Sequence, residues 1–233
     1  QIFKITSRLP VFYSGPRKYQ VRMWRKRMNR KYFRKWNGNV VFGKVFIEEA
    51  YSAKMQERLQ DSSQYTYIDK FFPPLQFFTG LESLIKDIQF VEFTDQRNIV
   101  LANEMKCQNS VSIHIRRGDY VGTNFDRVTI EYYKKAVEHI QNIIDDPKYY
   151  IFSDDIDYVT DNFKWLDNQV IVTNNRVENS YCDMQLMSMC KHNIITNSTF
   201  STWGALLNKN ANKVVCYPFL DEVIDRSWIG IRE

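Results

Sequence analysis

Short apolar runs of strand length alternate with stretches of helical periodicity over the second half of this chain. The strand-length runs are Val111–Ile115, Tyr149–Phe152, Val170–Val172, Asn193–Thr196 and Val214–Cys216. Between them, apolar residues recur at helical spacing over Ile130–Ile144, Ile156–Phe163, Tyr181–Lys191 and Phe200–Asn208. This alternation predicts βαβ units and a doubly wound parallel sheet. Thr129 and Ser180 are the expected N-caps of two of the helices.

The first hundred residues show a less regular pattern. An aromatic, proline-interrupted segment over 65–80 separates two predicted helices, at about 48–60 and 81–88. We therefore expect two domains, with an N-terminal domain over residues 1–105 and a Rossmann-like domain over residues 106–233.

The composition is that of a globular protein, with 44% hydrophobic and 15% aromatic residues. No apolar run reaches the 18 or so residues that a membrane span needs. The four cysteines are scattered without C-x-x-C spacing, which favours free, mostly buried thiols from a reducing compartment. The three histidines do not lie at zinc-ligand spacing from one another or from a cysteine pair, so a zinc site is not expected.

Positive charge is concentrated at the start of the chain. Residues 1–47 contain thirteen Lys or Arg and no Asp or Glu, although the net charge of the whole chain is only +5. Within residues 17–36, Val21, Trp24, Met28 and Tyr32 recur at helical spacing among the basic side chains. Such a basic amphipathic segment can bind anionic lipid headgroups, nucleic acid or an acidic partner, or form a solvated cationic helix face.

Two adjacent arginines follow the first strand of the predicted sheet, in the segment "SVSIHIRRGDYVG". Arg116 and Arg117 each offer a planar set of donors that matches a phosphate or carboxylate group. One interpretation is therefore a shared, doubly anionic ligand. The other is that one arginine pairs with Asp119 and the other is solvated.

Polar side chains also follow the next strands, and the carboxyl ends of parallel strands are where open sheets bind ligands. These groups are Ser153-Asp154-Asp155, Thr173-Asn174-Asn175 and Asn197-Ser198-Thr199. The last group opens a helix, whose free N–H groups favour phosphate, so a diphosphate site is expected there. The D-x-D within Asp154–Asp157 could bind a divalent metal, but aspartate at a helix start is equally explained by capping. We expect no metal.

Two segments together resemble glycosyltransferase family 11, the α-1,2-fucosyltransferases, and most of all its bacterial members. "HIRRGDY" is similar to the family's H-x-R-R-x-D motif. "DMQLMSMCKHNIITNSTFSTWGALLN" is similar to the family's acidic–Leu-Met-Ser helix, its Asn-Ser-Thr-Phe-Ser-x-Trp turn and the helix after that turn. "YIDKFFPPLQFF" looks like a diverged form of its tyrosine-rich segment, with Lys70 where glycine is usual. The family's glycine-rich N-terminal stretch has no counterpart, so the resemblance implies an N-terminally incomplete chain.

The resemblance implies a GT-B-like α/β architecture that joins an incomplete N-terminal α/β domain to a C-terminal sheet that binds GDP-fucose. It implies an inverting, metal-independent transfer of L-fucose to the 2-hydroxyl of a galactose-containing oligosaccharide or glycolipid, with no cofactor. The implied donor-binding residues are His114 and Asp183 for guanine and Arg116, Arg117, Asn197, Ser198 and Thr199 for the diphosphate. The implied catalytic residue is Arg116. The acceptor hydroxyl also needs a base, and Asp119 and Asp126 are the candidates because they are the nearest carboxylates in sequence.

Some of these assignments have alternatives. Asp119 could instead be structural and hold an arginine. The chain could be an inactive nucleotide- or carbohydrate-binding remnant, or a basic nucleic-acid-binding domain, although neither motif lies in the basic segment. We expect no nucleic-acid partner, and a cytoplasmic protein that contacts the anionic inner membrane surface peripherally through residues 17–36.

Overall fold

The computed structural model describes residues 3–5, 39–40, 43–46, 65–66, 85, 88–220 and 227–233. The basic segment 17–36 and the predicted helix at 48–60 lie outside these residues. The strands are β1 Phe3–Ile5, β2 Asn39–Val40, β3 Gly43–Phe46, β4 Tyr65–Thr66, β5 Ile88–Phe90, β6 Ser110–Ile115, β7 Lys148–Ser153, β8 Gln169–Ile171, β9 His192–Ile194, β10 Val215–Pro218 and β11 Ile229–Ile231. The helices are α1 Gln96–Cys107, α2 Ile130–Gln141, α3 Ile156–Asn162, α4 Tyr181–Met189 and α5 Thr199–Leu207.

The chain forms two compact units, one made of residues 1–6 and 80–233 and the other of residues 7–79. In the smaller unit, β2 pairs antiparallel with β3, and β3 pairs parallel with β4. In the larger unit, β1 pairs antiparallel with β5. Helix α1 crosses residue 105 and belongs wholly to the larger unit. The expected domain division at that residue stays a prediction.

A six-stranded sheet organises the larger unit, in the order β11-β10-β9-β6-β7-β8. Every neighbouring pair of strands in it is parallel. From β6 the chain winds outward through β7 and β8, and it then returns to β9 on the other side of β6. The winding direction therefore reverses between β6 and β9, and a crevice opens at the carboxyl ends of such neighbouring strands.

Both faces of this sheet are covered by helices. On one face, Val111, Ile113 and Ile115 of β6 pack against apolar residues of α2 and α3. On the other, Tyr150 and Phe152 of β7 pack against α1 and α4. The predicted α/β fold with a doubly wound parallel sheet is therefore confirmed, while its GT-B-like two-domain arrangement stays a prediction.

The five strands and four helices predicted after residue 110 are all present, with ends that shift by a few residues. Thr129 caps α2 as predicted, since its side chain accepts from the backbone N–H of Glu131. Ser180 occupies the N-cap position of α4, but its side chain makes no capping hydrogen bond.

Several elements differ from the prediction. Helix α1, the edge strand β11 and the short strands β1 to β4 were not predicted at all. The helix predicted at about 81–88 is wrong at its last residue, because Ile88 begins strand β5. The four cysteines are free thiols as expected, and Cys182, Cys190 and Cys216 are buried. Within the described residues, no helix has the length and apolar character to cross a membrane.

Candidate active site

A cavity of about 870 Å³ lies at the carboxyl ends of the central strands. Residues that follow β6, β7, β8 and β9 all contribute to its wall, together with the starts of α4 and α5. Its lining includes His114, Arg116, Gly118, Asp119, Tyr120, Asp154, Asp155, Asn175, Arg176, Asp183, Ser198, Thr199 and Phe200. Six of the predicted site residues therefore meet in one cavity: His114, Arg116, Asp119, Asp183, Ser198 and Thr199.

Arg116 is held between two carboxylates. Its Nη2 lies 2.6 Å and its Nε 2.8 Å from Oδ1 of Asp119, and its Nη1 lies 2.9 Å from Oδ2 of Asp154. A guanidinium can make these three contacts at once because its donors lie in a fixed plane. Two neighbouring carboxylates therefore fix the orientation of Arg116 along the wall of the cavity.

Gly118 makes the contact between Arg116 and Asp154 possible. A Cβ at position 118 would lie 2.5 Å from Oδ2 of Asp154, the same oxygen that pairs with Arg116. Any larger residue would have to displace that carboxylate. The glycine after the two arginines is therefore explained by this close approach of the Asp154 side chain.

Arg117 has different side-chain partners from Arg116, and it is not part of the cavity lining. Its guanidinium stacks 3.8 Å from the ring centroid of Tyr158 in α3 and lies 3.3 Å from Oδ2 of Asp155. Its backbone N–H donates to Oδ1 of Asp154 at 2.9 Å. The two arginines therefore do not share one small space, and Arg117 contacts the site through the backbone and Asp154.

The aspartates of the D-x-D segment already have protein partners. Asp154 pairs with Arg116, and Asp155 caps α3 by accepting from the backbone N–H of Tyr158 at 3.0 Å. Among the described residues, no group of three or more His, Cys, Asp or Glu side chains is arranged to hold a metal ion. Capping and ion pairing account for these carboxylates.

The start of α5 forms part of the cavity wall. The Ser198 side chain caps this helix by accepting from the backbone N–H of Phe200. Ser198 and Thr199 both line the cavity, close in the fold to Arg116. The helix dipole, free N–H groups and hydroxyls at such a start favour a phosphate group.

Asn197 precedes this helix but serves a different purpose. Its Nδ2 donates to the backbone carbonyl of Phe125 at 2.8 Å, and its Oδ1 accepts from the Thr196 hydroxyl at 3.1 Å. The side chain thus ties the 117–128 loop to the start of α5. The lining of the cavity does not include Asn197.

His114 is buried in the cavity wall, with 5% of its surface exposed. Burial, and then the nearby charge of Arg116, lower the pKa of His114 to about 3, so the imidazole is neutral at physiological pH. In the described part of the chain its Nδ1 has no hydrogen-bond partner. A buried polar atom without a protein partner is costly, so this nitrogen is a strained feature of the cavity wall.

Asp183, in the first turn of α4, is the cavity's most perturbed carboxyl group. Burial raises the pKa of Asp183 to about 7, although a hydrogen bond from Asn175 opposes the shift. That bond joins Nδ2 of Asn175 to Oδ1 of Asp183 at 2.7 Å. A carboxylate in such a setting is stabilised by any ligand that donates hydrogen bonds to it.

The two candidate bases differ in their settings. Asp119 lines the cavity, and its exposed side chain uses Oδ1 for Arg116. Asp126 lies on an exposed turn, where its Oδ2 accepts from the backbone N–H of Gly122 at 3.2 Å. The structure therefore brings Asp119 to the cavity and leaves Asp126 outside its lining.

Asn98 supports the site and was not predicted. It is 1% exposed, lies in α1 and exchanges two hydrogen bonds with Asn175. The available signal was an asparagine on the helix face that also holds Ala102 and Met105. A buried amide needs partners, and that requirement indicates a polar contact on this face.

Comparison with known proteins defines the family. The model for glycosyl transferase family 11 matches residues 26–224. The chain belongs to glycosyltransferase family 11, as the sequence motifs predicted.

The chain is 36% identical over 155 residues to an O-antigen biosynthesis glycosyltransferase, WbnK, of Escherichia coli, covering 64% of this chain and 48% of that protein. It is 31% identical over 174 residues to an alpha-1,2-colitosyltransferase of Escherichia coli, covering 70% of this chain and 58% of that protein. The chain thus spans about half the length of the curated relatives it matches. A galactoside alpha-(1,2)-fucosyltransferase 2 of Mus musculus is 30% identical over 106 residues, which cover 42% of this chain and 30% of that protein.

Among solved structures, the chain is similar to NodZ alpha-1,6-fucosyltransferase soaked with GDP-fucose. The two share 15% identity and a TM-score of 0.47 over 66% of this chain and 56% of that one.

Proposed function

We propose that this chain contains the donor site of a galactoside α-1,2-fucosyltransferase, which moves L-fucose from GDP-fucose to the 2-hydroxyl of a galactoside. The observation that supports this most is a single cavity that combines two kinds of recognition. Asp183 and His114 suit the edge of a base, while Arg116 and the start of α5 suit a diphosphate.

Guanine fits the first of these groups by hydrogen-bond chemistry. Its N1–H and N2–H₂ groups are donors, and a carboxylate at Asp183 offers only acceptors. A neutral imidazole at His114 can donate to the acceptors O6 or N7. Adenine lacks the N1–H donor, so the same pair of side chains would bind it less well.

The diphosphate would bind where charge develops during transfer. The acceptor hydroxyl attacks the anomeric carbon from the face opposite the diphosphate, and the bond from that carbon to the phosphate oxygen breaks with inversion. The electron pair of that bond leaves with GDP. Arg116 and the N–H groups at the start of α5 stabilise this charge, which is how a transferase can operate without a metal ion. Arg117 supports them through its contacts with Asp154 and Asp155.

The acceptor proton needs a base, and Asp119 is the candidate that lines the cavity. Its Oδ1 holds Arg116, and its Oδ2 makes no hydrogen bond within the described residues. We assign the proton to this oxygen, with transfer late in the reaction. Asp126 would then serve to hold the turn at Gly122.

A second candidate donor is the GDP derivative of colitose, which is L-fucose without its 3-hydroxyl. The similarity to an alpha-1,2-colitosyltransferase over 70% of this chain favours it. Both donors share the nucleotide, so the same residues would bind GDP in either case. We also propose a cytoplasmic location with peripheral contact between residues 17–36 and an anionic membrane, and no nucleic-acid partner.

Transfer assays test the activity directly. The purified protein is incubated with GDP-fucose, GDP-colitose or UDP-galactose and a galactoside such as lactose, and the product linkage is determined by NMR. We expect an α-1,2-linked product from a GDP-sugar, at a rate that a chelator does not change. Strong inhibition by the chelator would instead support a metal at the D-x-D segment, and transfer from UDP-galactose alone would contradict the proposal.

A further inference from the structure

Three asparagines, Asn98, Asn174 and Asn175, form a hydrogen-bonded group that reaches Asp183. Asn98 is 1% and Asn175 8% exposed, although amide side chains are costly to bury without partners. Asn98 comes from α1, whereas Asn174 and Asn175 follow β8. Two separate elements therefore bring amides together beside Asp183, and Asn175 itself also lines the cavity.

The hydrogen bonds form a continuous path from α1 to the carboxylate. Nδ2 of Asn98 donates to Oδ1 of Asn175 at 2.8 Å, and Nδ2 of Asn175 donates back to Oδ1 of Asn98 at 2.9 Å. The second hydrogen on Nδ2 of Asn175 is donated to Oδ1 of Asp183, over 2.7 Å. Both amide hydrogens and the oxygen of Asn175 are thus used, which fixes the orientation of its amide.

This orientation matters for Asp183. If the Asn175 amide rotated by half a turn, its oxygen would face the carboxylate oxygen and the two acceptors would repel. Asn98 opposes that rotation, because it donates to one end of the amide and accepts from the other. Asp183 keeps Oδ2 outside this network, on a residue that lines the cavity.

We propose that Asn98 and Asn175 are positioning residues that aim the Asp183 carboxylate at the base of the donor nucleotide and thereby set nucleotide selectivity. This inference rests on the proposed function, since it takes the bound nucleotide to be GDP. Neither asparagine has to touch the acceptor or the transferred sugar. Their loss should therefore change the preference for the base more than the reaction itself.

The test compares Asn98→Ala with a matched control, Asn174→Ala. Nδ2 of Asn174 also donates to Oδ1 of Asn98, at 2.6 Å, but both hydrogen bonds between Asn98 and Asn175 survive its removal. Calorimetry gives the Kd of GDP and ADP for each variant, and urea unfolding gives its stability. We expect Asn98→Ala to raise the Kd of GDP about tenfold, while the Kd of ADP changes less than about twofold. Asn174→Ala should lower stability but keep the preference for GDP.

A second readout does not depend on any nucleotide. Because the hydrogen bond from Asn175 lowers the pKa of Asp183, loss of the fixed amide should raise that pKa further. NMR titration of the Asp183 carboxyl carbon measures it in the wild type and in both variants. Asn175→Ala removes the donor itself, from a loop rather than a helix, and replaces Asn98→Ala if the latter does not fold.

The outcomes separate the inference from the proposed function. If the wild type binds GDP no better than ADP, the proposed function fails, yet a raised Asp183 pKa in Asn98→Ala alone would still establish the positioning contact. If Asn98→Ala and Asn175→Ala keep both the GDP preference and the Asp183 pKa of the wild type, the inference is overturned. The inference would also be overturned if Asn98→Ala weakened the binding of GDP and of ADP by the same factor.

Discussion

The affinity for GDP should depend on pH through Asp183. The pKa of this carboxyl is raised to about 7 by burial, so near neutral pH a large fraction of the free protein carries it protonated. Guanine donates hydrogen bonds to it and therefore binds the ionised form. Lowering the pH populates the protonated form and weakens binding, whereas raising the pH above 7 restores it.

The size of the effect follows from that pKa. Below pH 7 the ionised fraction falls about tenfold for each pH unit, so the Kd of GDP should rise about tenfold between pH 8 and pH 6. The His114 pKa of about 3 keeps that imidazole neutral over this range. Phosphate groups also titrate near pH 6, and ADP contains the same diphosphate. The ratio of the ADP and GDP dissociation constants therefore isolates the contribution of the base.

Calorimetry at pH 6, 7 and 8 measures this ratio. Asp183→Asn removes the titrating group. For this variant the Kd of ADP divided by the Kd of GDP should be low and independent of pH. Asp161→Asn, an exposed ion-pair partner of Lys164 outside the cavity lining, is the matched control and should behave as the wild type. A wild-type ratio that stays constant from pH 6 to pH 8 would refute the assignment of Asp183 to the base.

Three further outcomes are expected. Arg116→Lys should lower the transfer rate at least about tenfold, roughly 1.4 kcal/mol, because lysine cannot bridge two carboxylates and a phosphate; near-normal turnover would count against the diphosphate role. Gly118→Ala should reduce GDP binding by displacing Asp154, and unchanged affinity would show that this contact is dispensable. Residues 17–36 should bind anionic but not neutral vesicles at low salt, because each basic residue contributes on the order of 1 kcal/mol near the surface. Co-sedimentation that is equal for both vesicle types would exclude this membrane contact.

The sheet could be predicted because its strands are apolar runs that must be buried on both faces. Thr129 and the polar groups at the strand ends could also be predicted, because helix caps and strand ends are marked by particular residue types in the local sequence. Helix α1 was missed because its buried face consists of Asn98, Ala102 and Met105. An asparagine and an alanine do not form an apolar stripe that would indicate a buried helix face. The partners of the buried amide lie 76 and 77 positions further along the chain, so the local sequence does not reveal them.

The arginine pair shows where residue types alone are insufficient. The sequence places two guanidiniums beside each other, but in the structure Arg116 pairs with Asp119 and Asp154 while Arg117 pairs with Asp155 and stacks on Tyr158. The pairing of one arginine with Asp119 was among the interpretations from sequence, whereas the contacts with Asp154 and Asp155 depend on a segment that follows a different strand. Asn197 was likewise grouped with the diphosphate by its position, but its amide bonds the loop at Phe125.

The central claim is that the cavity binds GDP through its base, and a ligand-binding screen tests it most directly. The thermal unfolding midpoint of the chain is measured with GDP, GDP-fucose, UDP, ADP and a mixed oligonucleotide, in the wild type and in Asp183→Asn. The account predicts that GDP and GDP-fucose raise the midpoint well above the other ligands, and that Asp183→Asn removes most of this difference. Stabilisation of equal size by all three free nucleotides, or by the oligonucleotide alone, would contradict it.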